Sequence, residues 1–142
     1  MPMQRSRPVL TVLVAALSLA ACGREGAQDP SRALHEARDA LAIGLPAPYV
    51  EDLVIASVGI EGDALGQRIV SPEGRAGPTR DHPQFEDLRQ TERQDLQLLC
   101  ARPEIQALAG TGARLVRRFV DREGELFFEV ELPASACASA AP

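Results

Sequence analysis

The chain has 142 residues, with 15 basic and 20 acidic side chains and a formal net charge of −5. The acidity argues against non-specific nucleic-acid binding, and the length suits one domain around one core. All the basic residues are arginine and there is no tryptophan, so the core must be built mainly from Leu, Val, Ile and Ala. No catalytic constellation, metal-ligand cluster or cofactor-binding loop is legible, and neither a metal nor a cofactor is expected.

Arg5 and Arg7 precede an apolar run from Val9 to Ala21. Its 13 residues are too few to span a bilayer, which needs roughly 20. A positive start, a short apolar stretch and small residues at its end describe a secretory signal that is removed. The stretch Leu19-Ala20-Ala21-Cys22 resembles the lipobox of bacterial lipoprotein signal peptides. That resemblance implies cleavage after residue 21, a diacylglyceryl group on the Cys22 thiol and acylation of the new amino terminus. Several acyl chains anchor stably where one is marginal. Gly23 follows the cysteine, and in lipoproteins the absence of Asp there favours the outer membrane, with the protein facing the periplasm. Without residues 1–21 the chain keeps 13 arginines against 20 acids, so attachment would rest on lipid and not on a basic patch.

With Cys22 committed to lipid, Cys100 and Cys137 remain as a pair in an oxidising compartment, and a disulfide is expected. It would close a loop of about 37 residues. The spacing is nothing like Cys-x-x-Cys, which argues against a redox-active pair.

Residues 22–30 read as a polar lipidated tether, and residues 31–137 as a single domain. Ser31 can cap a helix whose Ala33, Leu34, Ala37 and Leu41 recur at three- and four-residue spacing, stopping near Gly44. Leu45 to Pro48 is extended. Tyr49 to Ile60 and Leu65 to Ser71 read as a hairpin through Glu61-Gly62-Asp63-Ala64. Glu61 and Asp63 are an exposed carboxylate pair without an implied pocket. Ser71 to Pro83, rich in Pro and Gly, reads as a loop in which Arg75 and Arg80 are partner-binding candidates. His82 in this loop reads as a solvated side chain.

A second helix is expected from Pro83 to Cys100, with a short restart from Pro103 to Ala109. Phe85, Leu88, Leu96 and Leu99 mark its apolar face, weakened in the middle by Thr91, Glu92 and Asp95. A second hairpin follows, Ala113 to Val120 and Glu125 to Leu132, with clear alternation of Leu126, Phe128, Val130 and Leu132. Residues 138–142 read as a disordered tail. The order helix, hairpin, helix, hairpin predicts an α+β fold, a four-stranded antiparallel sheet with helices packed on it and one disulfide.

Both faces of the third strand carry apolar residues. If Leu126, Phe128 and Val130 face the helices, Phe127 faces away, and Leu115 and Phe119 can join it in an outward apolar strip for a partner. Alternatively the first helix covers that side and makes a three-layer domain. The layout also loosely resembles secretion-system pilotins, small outer-membrane lipoproteins that escort secretin subunits. The reading that results is a non-enzymatic, lipid-anchored module that binds, assembles or inhibits another envelope protein. The alternatives are a binder of lipid or small apolar ligands and an envelope hydrolase, for which only His82, Ser57, Ser71 and scattered carboxylates are on offer.

Overall fold

In the computed structural model, residues 29–140 are described. Helix α1 (Pro30–Ala42) starts two residues earlier than a Ser31 cap would place it, because Asp29 and not Ser31 is its cap. The Asp29 carboxylate accepts a hydrogen bond from the Ser31 amide at 3.1 Å, and Pro30 occupies a first-turn position where its missing N–H costs nothing. The face predicted from spacing, Ala33, Leu34, Ala37 and Leu41, is the buried one.

Five strands follow from the two expected hairpins and the extended Pro-rich stretch. They are β1 (Ala47–Pro48), β2 (Val54–Glu61), β3 (Ala64–Ser71), β4 (Arg114–Asp121) and β5 (Leu126–Pro133), in the order β1-β2-β3-β4-β5. The sheet is therefore five-stranded, and it is mixed. The hairpin pairs are antiparallel, but β3 and β4 run parallel, with Leu65 beside Leu115 and Ile69 beside Phe119. The physical reason is the connection between the hairpins. A parallel pair needs a long crossover, and residues 72–113 supply one, carrying the chain back to the end where β3 began. The Arg114 amide then donates to the Asp63 carbonyl at 3.0 Å and fixes the register.

The crossover holds α2 (Ala76–Arg80), α3 (Phe85–Leu96), a 3-10 turn over Gln97–Ala101 and α4 (Pro103–Gln106). α2 lies inside the expected loop. Its Pro78 falls in the first turn, where proline is compatible with a helix. The expected helix to Cys100 ends at Leu96 and tightens into the 3-10 turn. Cys100 and Cys137 are bonded to each other, joining that turn to the closing 3-10 segment Ala134–Ala140. That segment takes in part of the stretch expected to be a loose tail.

One core cluster contains α1, α3, α4 and the inner sheet face, including Leu65, Ile69, Leu115, Phe119, Phe128 and Val130. The opposite face carries Arg114 between Asp63 and Glu131, and Arg118 between Glu61 and Glu129. These aliphatic-stemmed arginines lie beside Val116, which is buried although no helix element is needed to cover it.

Candidate functional site

A pocket of about 290 Å³ opens between α3, the turn after β1 and the inner sheet face. Its floor is aromatic. The β4–β5 register shifts at Phe119 and Val120, pairing Phe119 with Phe128 and Val120 with Leu126. Phe127 is thus the extra residue of a bulge, which re-aims side chains that plain alternation would send to opposite faces. Phe127 and Phe128 both line the pocket, beside Ile69, Leu53, Leu88 and Phe119. Phe119 stacks on Phe128 with ring centroids 4.5 Å apart, and Phe85 meets Phe128 edge-on at 5.5 Å.

The rim is partly apolar and partly acidic. Val50 and Leu88 are 48% and 42% exposed. Glu51 and Asp52, both exposed, line the pocket with them. The turn that carries them is closed by Tyr49 N–H to Leu53 carbonyl and Leu53 N–H to Val50 carbonyl bonds, both 2.9 Å. Closing it places Glu51 at φ 51°, a left-handed conformation that side chains other than glycine and asparagine adopt reluctantly.

Beside the aromatic floor sits a buried polar cluster, of which Glu92 lines the pocket. Glu92 and Arg117 are each 4% exposed. The Tyr49 hydroxyl donates to Glu92 Oε2 at 2.7 Å and accepts from Arg117 Nη1 at 2.7 Å. Arg117 Nη1 also approaches Glu92 Oε2 at 3.4 Å, and Arg117 Nε donates to Gln67 Oε1 at 3.1 Å. The guanidinium lies 5.1 Å from the Tyr49 ring centre, within cation–π range. Burial, and then the bond to Glu92, push the Tyr49 hydroxyl well above its ordinary pKa, so it stays protonated. The cluster clamps the rim turn to α3 and β4.

The placement of the predicted residues is mixed. Leu115, Phe119 and Phe127 are 1%, 4% and 8% exposed, so the outward apolar strip does not exist. The bulge turns Phe127 inward, and alternation along β4 puts Leu115 and Phe119 on the helix-covered face. The three-layer alternative also fails, because α1 joins the same core as α3. Arg75 and Arg80 are exposed and line a separate depression with Asp121, Glu123 and Glu125. Cys22 lies outside the described residues. Glu61 and Asp63 are ion-paired with Arg118 and Arg114. His82 Nδ1 accepts from the Gln84 amide at 3.2 Å, Ser71 Oγ accepts from the Gly74 amide at 2.9 Å, and the two serines and His82 are not brought together. Among the described residues no group of three or more His, Cys, Asp or Glu is placed to hold a metal ion.

Sequence reasoning met Glu92 only as a break in a helix face and did not join it to Arg117, and Gln67 was passed over. A signal existed. Glu92 is four residues from both Leu88 and Leu96, on their helix face, and Arg117 sits two from both Leu115 and Phe119, on their strand face. Opposite charges on two apolar faces are natural partners.

No family model matches the chain, and no curated protein matches it. Solved structures do share its architecture. A candidate secreted protein from Pseudomonas aeruginosa aligns over 76% of this chain and 92% of its own, with TM-score 0.60 and 18% identity. The pilotin EpsS of the Vibrio vulnificus type 2 secretion system aligns over 76% of this chain and 90% of its own, with TM-score 0.52 and 17% identity. The chain has the fold of these two proteins. The type II secretion pilotin AspS from Vibrio cholerae aligns over 76% of this chain and 94% of its own, with TM-score 0.48 and 14% identity.

Proposed function

We propose that this chain is a lipid-anchored, non-enzymatic helper of an envelope secretion machine. In this reading Cys22 carries the lipid, the domain faces the periplasm from the outer membrane, and the pocket between α3 and the sheet holds an apolar segment of another envelope protein. The observation that carries it is the pocket's chemistry: an aromatic floor open to solvent, with the one buried carboxylate that lines it, Glu92, already bonded to Tyr49 and Arg117. Such a surface binds by burial of apolar side chains. The fold shared with a secretion pilotin, and the lipobox-like start, make a secretin subunit the leading partner.

A small apolar ligand in the same pocket is the second reading. The space of about 290 Å³ is at the small end for such ligands, typically about 300–1,000 Å³. The exposed rim residues Val50 and Leu88 favour the first, because a peptide segment covers rim and floor together.

The test is a photo-crosslinking amino acid placed at Leu88, with the exposed Leu98 as control, in cells that make the secretin of the same organism. A secretin adduct from position 88 and not from 98 supports the proposal. An adduct to a small molecule alone favours the second reading. No adduct that depends on position 88 sinks both.

A further inference from the structure

Resting on the reading of the pocket as a docking site, we infer that the segment it takes is a polypeptide with one or two large apolar anchors flanked by Arg or Lys. Three carboxylates line the pocket, those of Glu51, Asp52 and Glu92, and no arginine does. Glu92 is neutralised by Arg117 from within the core. Glu51 and Asp52 are exposed at the mouth, and neither has an ion-pair partner among the described residues.

Elsewhere on the described surface the pattern is mixed: Asp29, Glu73, Asp81, Asp87, Asp95 and Glu125 also lack an ion pair, but none of them lines this pocket, and most of the other acids are held by arginines. Glu61, Asp63, Glu129 and Glu131 are held by Arg114 and Arg118. Glu36, Asp39, Glu86, Glu104 and Glu123 are also paired with arginines. Arg75 and Arg80 turn to the neighbouring depression with its own acids. The pocket mouth is thus left with uncompensated negative charge beside apolar surface. One of its two acids is held at φ 51°, where glycine or asparagine would be easier, so the carboxylate is kept there against a backbone preference.

The same charges choose among occupants. A fatty acid or an anionic phospholipid would bring a negative head group to Glu51 and Asp52. A peptide carrying cations beside its anchor places them there favourably, and the net negative chain steers it in.

The experiment selects peptides from an unbiased displayed library on the full chain in detergent. It repeats the selection on Leu88→Gln and on Val50→Ser, two neutral changes at exposed rim positions. The expected peptides carry an excess of Arg and Lys beside an apolar anchor and are depleted on both rim variants. For these peptides the double variant Glu51→Gln/Asp52→Asn weakens binding about threefold to tenfold and flattens its salt dependence. Rim-dependent peptides without cationic excess, or unchanged by the double variant, overturn the charge rule and leave the docking reading standing. Peptides indifferent to both rim variants, or no enrichment at all, overturn both.

Discussion

Glu92 and Arg117 are tolerable inside the core only as a pair. Removing one partner strands the other without water, which costs about 3–5 kcal/mol. Glu92→Ala is therefore expected to lower the unfolding free energy by about that amount, read from urea denaturation. The double replacement Glu92→Leu/Arg117→Met removes both charges and should recover most of the loss. A Glu92→Ala cost no greater than that of a surface change would mean that the pair is hydrated and does not hold the rim turn. Asp121 is a second buried acid, and its partners are backbone amides. Burial raises its pKa, but amide donors from Glu125, Ala76, Glu123 and Gly124 outweigh that and lower it overall. The Glu125, Glu123 and Ala76 bonds measure 2.8, 3.1 and 3.3 Å. A carboxylate whose folded pKa lies below its unfolded value of about 3.9 stabilises above that value. The contribution fades as pH falls through the folded pKa. Asp121→Asn should reduce stability at neutral pH and remove this part of the loss below about pH 4, measured as Tm against pH. If the variant keeps the same acid-side slope, other carboxylates carry it.

At the scale of elements, the sequence was most readable where one periodicity ran undisturbed. The α1 face follows from spacing alone, and both hairpins follow from alternation and acidic, glycine-bearing turns. The pairing of the hairpins with each other was not legible, because the direction of β4 beside β3 is set by where the crossover delivers the chain, and no local pattern in β3 or β4 encodes that. The pocket was hidden by one residue. A bulge at Phe127 leaves hydrophobicity unchanged but re-aims two side chains, so alternation read through it gave an outward strip in place of an inward floor. The Pro and Gly content of residues 72–83 disguised α2, since Pro78 marks a first turn as well as it marks a loop. The cysteine pair was legible from its count and compartment. It links two 3-10 segments and no strand, 37 residues apart, and such a loop contributes about 3–4 kcal/mol in the chain-entropy model. Cys137→Ser should lower the unfolding free energy by about that much, with the far-ultraviolet circular dichroism of the folded state retained. Loss of that spectrum at low temperature would instead make the cystine a condition of folding.

For the whole molecule, the start of α1 and the pocket belong to opposite ends of the sheet. α1 begins beside Ile60, Gly62 and Asp63, at the turn between β2 and β3. The pocket is lined by Ile69 and Ser71, at the far end of β3. An eight-residue strand separates the two by roughly 25 Å, at about 3.3 Å per residue. The described chain begins at Asp29, and neither Asp29 nor α1 contributes a pocket-lining residue. Cys22→Ser is therefore expected to do one thing and not another. It should move the protein out of the membrane fraction, because in the proposed reading the lipid on Cys22 is what holds it there. It should leave the thermal unfolding midpoint and the affinity for a pocket-binding peptide unchanged, because the core is built from Ala33 to Cys137. Fractionation, calorimetry and a binding titration on the same preparation read all three. A variant that stays with the membrane after its signal is removed rules out lipid on Cys22 as the anchor. A variant that is released but no longer binds would mean that binding depends on membrane attachment, contrary to the separation of the start of α1 from the pocket.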